Sequence, residues 1–152
     1  MNVAMINPFI TSTLLTFKTM LSDDIKPGAP GVKKEPAPSN DISGIIGLSG
    51  EAQGFIALSF PKIVALKVVS KMLGAEIKVV GSELTDGIGE LANIVAGNAK
   101  QGLTQYNLSI SLPNVIIGKD HVIASPSNTP TLLVPFTSSF GNFTMEIALK
   151  TK

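Results

Sequence analysis

Glu90 and Asn93 stand three residues apart in the stretch TDGIGELANIVAGNAK, Thr85 to Lys100. On a helix that spacing makes their side chains neighbours. A carboxylate can pair with a cation, and a carboxamide both donates and accepts hydrogen bonds. Glu-x-x-Asn is also a common pattern, and taken alone it is better accounted for by a solvated helix face. Other chemistries lack material. The chain has no cysteine, which excludes disulfides and thiolate chemistry. Its one histidine, His121, cannot build a histidine metal site or a His-dependent triad by itself and is expected to be a strand or turn residue. With no nucleophile–base pair and no metal cluster in view, a self-contained hydrolase is the least favoured class.

The helix that carries the pair is unusual in composition. Gly87, Gly89, Gly97 and Asn98 all weaken a helix, glycine by roughly 1 kcal/mol against alanine. Successive residues turn by about 100°, so Leu84, Ile88, Leu91, Ala92, Val95 and Ala99 share a face that should pack on a sheet. Asp86, Glu90, Asn93, Gly97 and Gln101 fall on the opposite face, with Ile94 at its border. An idle face would more naturally carry alanine, lysine or glutamate. Gly97, one turn beyond Asn93, would let another molecule approach the backbone. Gly89 and Gly97 could equally be packing positions against a neighbouring element.

Around this helix the chain reads as one domain of 152 residues with 44% hydrophobic and 15% charged residues, enough apolar matter for a core. Asn7-Pro8 reads as the start of a first helix ending near Ser22. Residues 25–41, rich in proline and glycine, read as extended or loop structure, with a possible edge strand from Lys26 to Lys33. The proline-rich part, 27–38, is open to three readings: a swapped arm, an edge strand or a plain loop. Ser43–Ser49 and Gly54–Phe60 read as a hairpin, Pro61–Leu73 as a helix stopped by Gly74, and Ser82 as the cap of a long helix ending near Tyr106. SISL, NVIIG, HVIAS, TLLVPF and FTMEIAL read as strands. This order implies an α+β layered domain, a mainly antiparallel sheet packed against helices.

Net charge is +1, and all 12 basic residues are lysine. The absence of arginine and of a basic cluster beyond Lys33-Lys34 argues against nucleic acid. No apolar run approaches the ~18 residues of a membrane span. The N-terminus does not read as a signal peptide, and the lack of cysteine permits a cytoplasmic location.

Taken together, MNVAMINPFI, SGIIGLSGEAQGFIALSFP, KVVSKMLG, GELANIVAGNAK, LPNVIIGKDH and LLVPFTSSFGNFTMEI resemble, in order and spacing, the CheX branch of the CheC/CheX family of bacterial chemotaxis phosphatases. The resemblance covers nearly the whole chain and implies a CheC-like fold. The family signature, an acidic residue followed three positions later by asparagine, lands on Glu90 and Asn93. CheC-like members carry two such motifs; one is found here, as in CheX, where two sites come from two subunits.

The resemblance implies a phosphatase acting on the aspartyl phosphate of a CheY-like response-regulator receiver. Asn93 would orient the attacking water, and Glu90 would pair with the receiver's active-site lysine. Asp86, Ile94, Gly97 and Gln101 would border the contact, although Asp86 is more simply a first-turn residue with a dipole role. No cofactor or metal is expected in this chain; a divalent metal, magnesium by expectation, would sit in the receiver. A homodimer formed through sheet edges is implied as well. The alternative is a non-catalytic binding or scaffold domain that docks to a receiver or a flagellar switch protein.

Overall fold

The computed structural model describes residues 3–33, 39–119, 121–125 and 128–151. Helix α1 spans Val3–Leu21 and therefore begins before Pro8, which lies inside it. The sequence had placed Asn7-Pro8 at the start. Proline removes one intrahelical hydrogen bond, and burial offsets that loss: Met5 and Ile6 are core residues. Tertiary packing thus carries the helix back by a turn.

Strands β1 (Lys26–Pro27), β2 (Gly31–Val32), β3 (Ile42–Ser49), β4 (Ala52–Phe60), β5 (Ser109–Ile110), β6 (Asn114–Ile117), β7 (Leu132–Ser138) and β8 (Gly141–Thr151) form one sheet. The order is β1-β7-β8-β4-β3-β5, with β2 also on β7 and β6 also on β3. Every pairing is antiparallel. The edge strand expected between Lys26 and Lys33 is present as the two short pieces β1 and β2. Of the proline-rich segment, residues 34–38 lie outside those described.

Strand alternation sends β4 residues Ile56, Leu58 and Phe60 and β8 residues Phe143, Met145 and Ile147 to the face covered by helices. Phe143 is the centre of this core. Phe17, Phe60 and Phe136 stack on it with ring centroids 4.9, 4.9 and 5.1 Å away, the offset spacing that aromatic pairs favour.

Helix α2 spans Lys62–Leu73. Pro61 is its N-cap, just outside the first turn in which the sequence had placed it, and the carboxylate of Asp41 accepts from the Lys62 N–H at 2.9 Å. Gly74 closes it in the left-handed conformation with φ 67°. Helix α3 spans Ser82–Gln101. Gly81, and not Ser82, is its N-cap. It stops short of the expected Tyr106: Gly102 turns the chain, Leu103 is buried, and Thr104–Tyr106 form a separate 3-10 turn.

The other face of the sheet holds Phe55, Ala57 and Ala148 beneath Ile123. The segment HVIAS, expected to be a strand, has no strand structure. His121 is held there by its side chain, with Nε2 2.7 Å from Ser43 Oγ and Nδ1 2.7 Å from the Gly118 carbonyl, while its own carbonyl accepts from Ser39 N–H at 2.8 Å. Its backbone is thus used in tethering, and Ile123 satisfies the apolar pattern by covering the sheet. The Ser43 hydroxyl also lies 2.8 Å from that of Ser59, which accepts from Asn40 N–H at 2.8 Å.

Close by, Lys33 Nζ and Glu146 Oε1 form an ion pair at 2.6 Å, both side chains almost fully buried, and the Ser39 hydroxyl also donates to Glu146. Leaving either charge alone in that site is costly. Lys33→Met or Glu146→Leu should each lower unfolding free energy by about 3–5 kcal/mol. Urea denaturation of the double variant should show most of that loss recovered; a double loss equal to the sum of the two single losses would mean the charges are uncoupled.

Candidate functional site

Helix α3 lies directly on β3. A Cβ at Gly44 would stand 3.0 Å from both Cγ2 and the carbonyl oxygen of Ile88 and 3.2 Å from Ala92 Cβ, so only glycine permits this approach. Leu84, Ile88, Leu91, Ala92, Val95 and Ala99 are buried beneath the helix, as their spacing predicts. On the opposite face Asp86, Glu90 and Gln101 are exposed, and Asn93, Ile94 and Gly97 are half-buried. All six expected site residues thus belong to one helix, and the helix register alone brings Glu90 and Asn93 together.

The three glycines of this helix differ in role. At Gly87 a Cβ would meet Val69 of α2 at 2.6 Å, and at Gly89 it would meet Pro113 at 3.4 Å and Val115 at 3.6 Å. Both are packing positions. At Gly97 nothing lies within 4 Å of an added Cβ. This helix-weakening residue has no structural compensation within the described chain, and it opens the backbone one turn beyond Asn93.

Among the described residues, neither Glu90 nor Asn93 engages a hydrogen bond or ion pair through its side chain. Asp86 is equally unpaired. It stands one turn before Glu90, a like-charge spacing that mildly destabilises a helix. It also lies past the first turn, whose acidic residue is Glu83. Helix-dipole effects fall off within that turn, so the dipole role favoured for Asp86 fits Glu83 better. Thr85 lies at the helix start, its hydroxyl donating to the Ser82 carbonyl at 3.1 Å.

A shallow cleft runs beside the acidic end of this face, lined by Thr85, Asp86, Gly89, Glu90, Pro113 and Val115. The sequence had not marked Pro113 or Val115. They come from a segment about twenty residues downstream that β3 pairing folds back against α3, and no local pattern announces such a contact. Among the described residues, no three His, Asp or Glu converge to hold a metal ion. The Ser43–His121 contact has the spacing of a nucleophile and its base, but Ser43 is 0% exposed and sealed beneath the loop. It is a structural tether.

The model of the family described as chemotaxis phosphatase CheX matches residues 42–137, which span β3 to β7 and include all of α3. The chain belongs to the CheX family. Within that family it is 30% identical over 128 residues to the CheY-P phosphatase CheX of Thermotoga maritima, covering 82% of this chain and 83% of that one. Its fold is that of a CheC-like superfamily protein from Shewanella sp. PV-4, with TM-score 0.89, 37% identity and 99% of each chain covered. It also resembles a chain of a CheX–CheY–BeF3–Mg complex from Borrelia burgdorferi, with TM-score 0.79, 27% identity and 95% and 97% coverage. The CheC-like, layered α+β architecture expected from the sequence is therefore the one observed.

The differing glycines give a direct test on this CheX fold. Gly97→Ala should stabilise the protein by about 0.5–1 kcal/mol through helix propensity. Gly87→Ala should destabilise it, because Val69 must move. Chemical denaturation of the two variants checks both signs.

Proposed function

We propose that this CheX-family chain hydrolyses the aspartyl phosphate of a CheY-like receiver in the cytoplasm, with Asn93 orienting the attacking water and Glu90 docking through an ion pair with the receiver's active-site lysine. The observation that carries this is the state of the two side chains. Both lie on one outward helix face, beside the open backbone at Gly97, with no partner of their own among the described residues. A relative named CheY-P phosphatase and a related chain solved together with CheY support the substrate class.

The chemistry asks little of this chain. An acyl phosphate is already reactive, and phosphoryl transfer depends chiefly on positioning and charge stabilisation. The carboxamide oxygen of Asn93 can accept a hydrogen bond from the water while its N–H group donates to a phosphoryl oxygen. Water oxygen bonds to phosphorus, the bond from phosphorus to the aspartyl oxygen breaks, and the proton leaves with inorganic phosphate. A divalent metal, expected as magnesium, belongs to the receiver and would offset phosphoryl charge there. Glu90, once covered by the partner, would gain strength from its ion pair as water is excluded.

The reading includes a homodimer formed through sheet edges. Of the two edges, β1–β2 carries Pro27 and is broken into two-residue pieces, features that discourage strand addition. Strand β6 presents Ile116 and Ile117, 37% and 48% exposed, and is the favoured edge.

Two measurements check this. With a CheY-like receiver phosphorylated by a small-molecule donor, Asn93→Ala should slow phosphate loss by about 100-fold or more while receiver binding survives. Glu90→Ala should weaken binding; an unchanged rate in Asn93→Ala overturns the mechanism and leaves docking without turnover. In sedimentation, Ile117→Lys should shift the protein from dimer to monomer.

A further inference from the structure

Resting on that reading of Glu90 and Asn93, we propose that α1 supplies a second part of the receiver-docking surface, with Leu15 as its anchor. The surface then has a fixed polarity. The receiver's cationic side lies over Asp86 and Glu90, and its uncharged side lies along the groove between α1 and α3.

Size makes a second element necessary. From Asp86 to Gln101, α3 runs about 22 Å at 1.5 Å per residue, and a helix is only about 10 Å wide. The outward strip of one helix therefore offers a few hundred Å² at most, whereas a specific interface takes about 800 Å² from each partner. A receiver that seats a phosphoryl group at Asn93 must rest on what flanks α3.

The flanks differ in chemistry. On the acidic side, the cleft carries Asp86 and Glu90 against Pro113 and Val115, with no lysine among the described residues that line it. On the other side α1 packs antiparallel to α3. The Ser12 hydroxyl donates to the Val95 carbonyl at 2.6 Å, and Gly102 abuts Pro8. The groove between them is lined by Pro8, Thr11 and Leu15 from α1 and by Asn98 and Gln101 from α3, and none of the described residues that line it is charged. It adjoins Gly97, whose bare backbone leaves the passage from Asn93 open.

Leu15 marks the groove as an apolar contact. It is 52% exposed, while Phe9, Phe17 and Leu21 of the same helix are buried to 2% or less. A body covering both flanks therefore needs a cation at one end and an uncharged, partly apolar surface at the other. In the proposed reaction that body is the receiver, because Asn93 lies between the two flanks.

The test is steady-state dephosphorylation of a CheY-like receiver by the full chain at low and high salt. Leu15→Ser and Thr11→Lys alter exposed side chains and spare the core. Each should raise KM about ten-fold with kcat within about two-fold. The effect of Leu15→Ser should persist at high salt. The KM defect of Glu90→Gln should shrink there, because salt screens the wild-type attraction. If both α1 variants keep the wild-type KM while Asn93→Ala loses turnover, α1 is not part of the docking surface and the catalytic reading stands. If Asn93→Ala turns over normally, the catalytic reading itself fails. Conversion of a dimer to a monomer by Leu15→Ser in sedimentation would assign the groove to a second copy of this chain and overturn the proposal.

Discussion

The seating of α3 is the constraint on which the rest depends. At Gly44 the helix touches the backbone of β3, and at Gly87 it receives the side chain of Val69 from α2. Two glycines on different elements fix its height and lateral position. Because Glu90 and Asn93 lie on the far side of the same helix, their place at the surface is set by the core contacts of Ile88, Leu91 and Val95. The site needs no loop to hold it. Side chains built on a packed helix are held more precisely than those on loops, which suits a task made of positioning.

The sheet has two faces with different solutions to burial. The helix face is a continuous aromatic and aliphatic core around Phe143. The opposite face is covered without helices, by a small apolar cluster under Ile123, by the Lys33–Glu146 pair and by the Ser43–Ser59–His121 contacts. Polar tethers do there what hydrophobic packing does on the first face. They also make the second face more sensitive to loss of a single partner, since an unmatched buried polar group is costly.

Much of this was legible in the chain, and what was not has definite causes. Period-2 and helical spacing marked β3, β4, β7, β8, α2 and the buried face of α3, because burial on one side writes itself into local sequence. The limits of α1 were hidden, since Met5 and Ile6 extend it past Pro8 through contacts that no helix-start signal records. HVIAS had strand composition, yet its residues serve as cover and tether. Glu90 and Asn93 were placed together by spacing, and their significance came from family resemblance. Pro113 and Val115 were missed because they reach the cleft beside Glu90 from another element.

The contacts at His121 have a direction at each end. The Asn40 N–H donates to Ser59 Oγ, and the Gly118 carbonyl can only accept, so Nδ1 of His121 carries a proton. The Ser43 hydroxyl lies between Nε2 of His121, 2.7 Å away, and the Ser59 hydroxyl, 2.8 Å away, and its single proton can serve one of them at a time. The contacts run without a gap from Asn40 to Gly118, so the proton of each hydroxyl constrains its neighbour. The start of β3 and the loop beyond β6 are thereby keyed to one another.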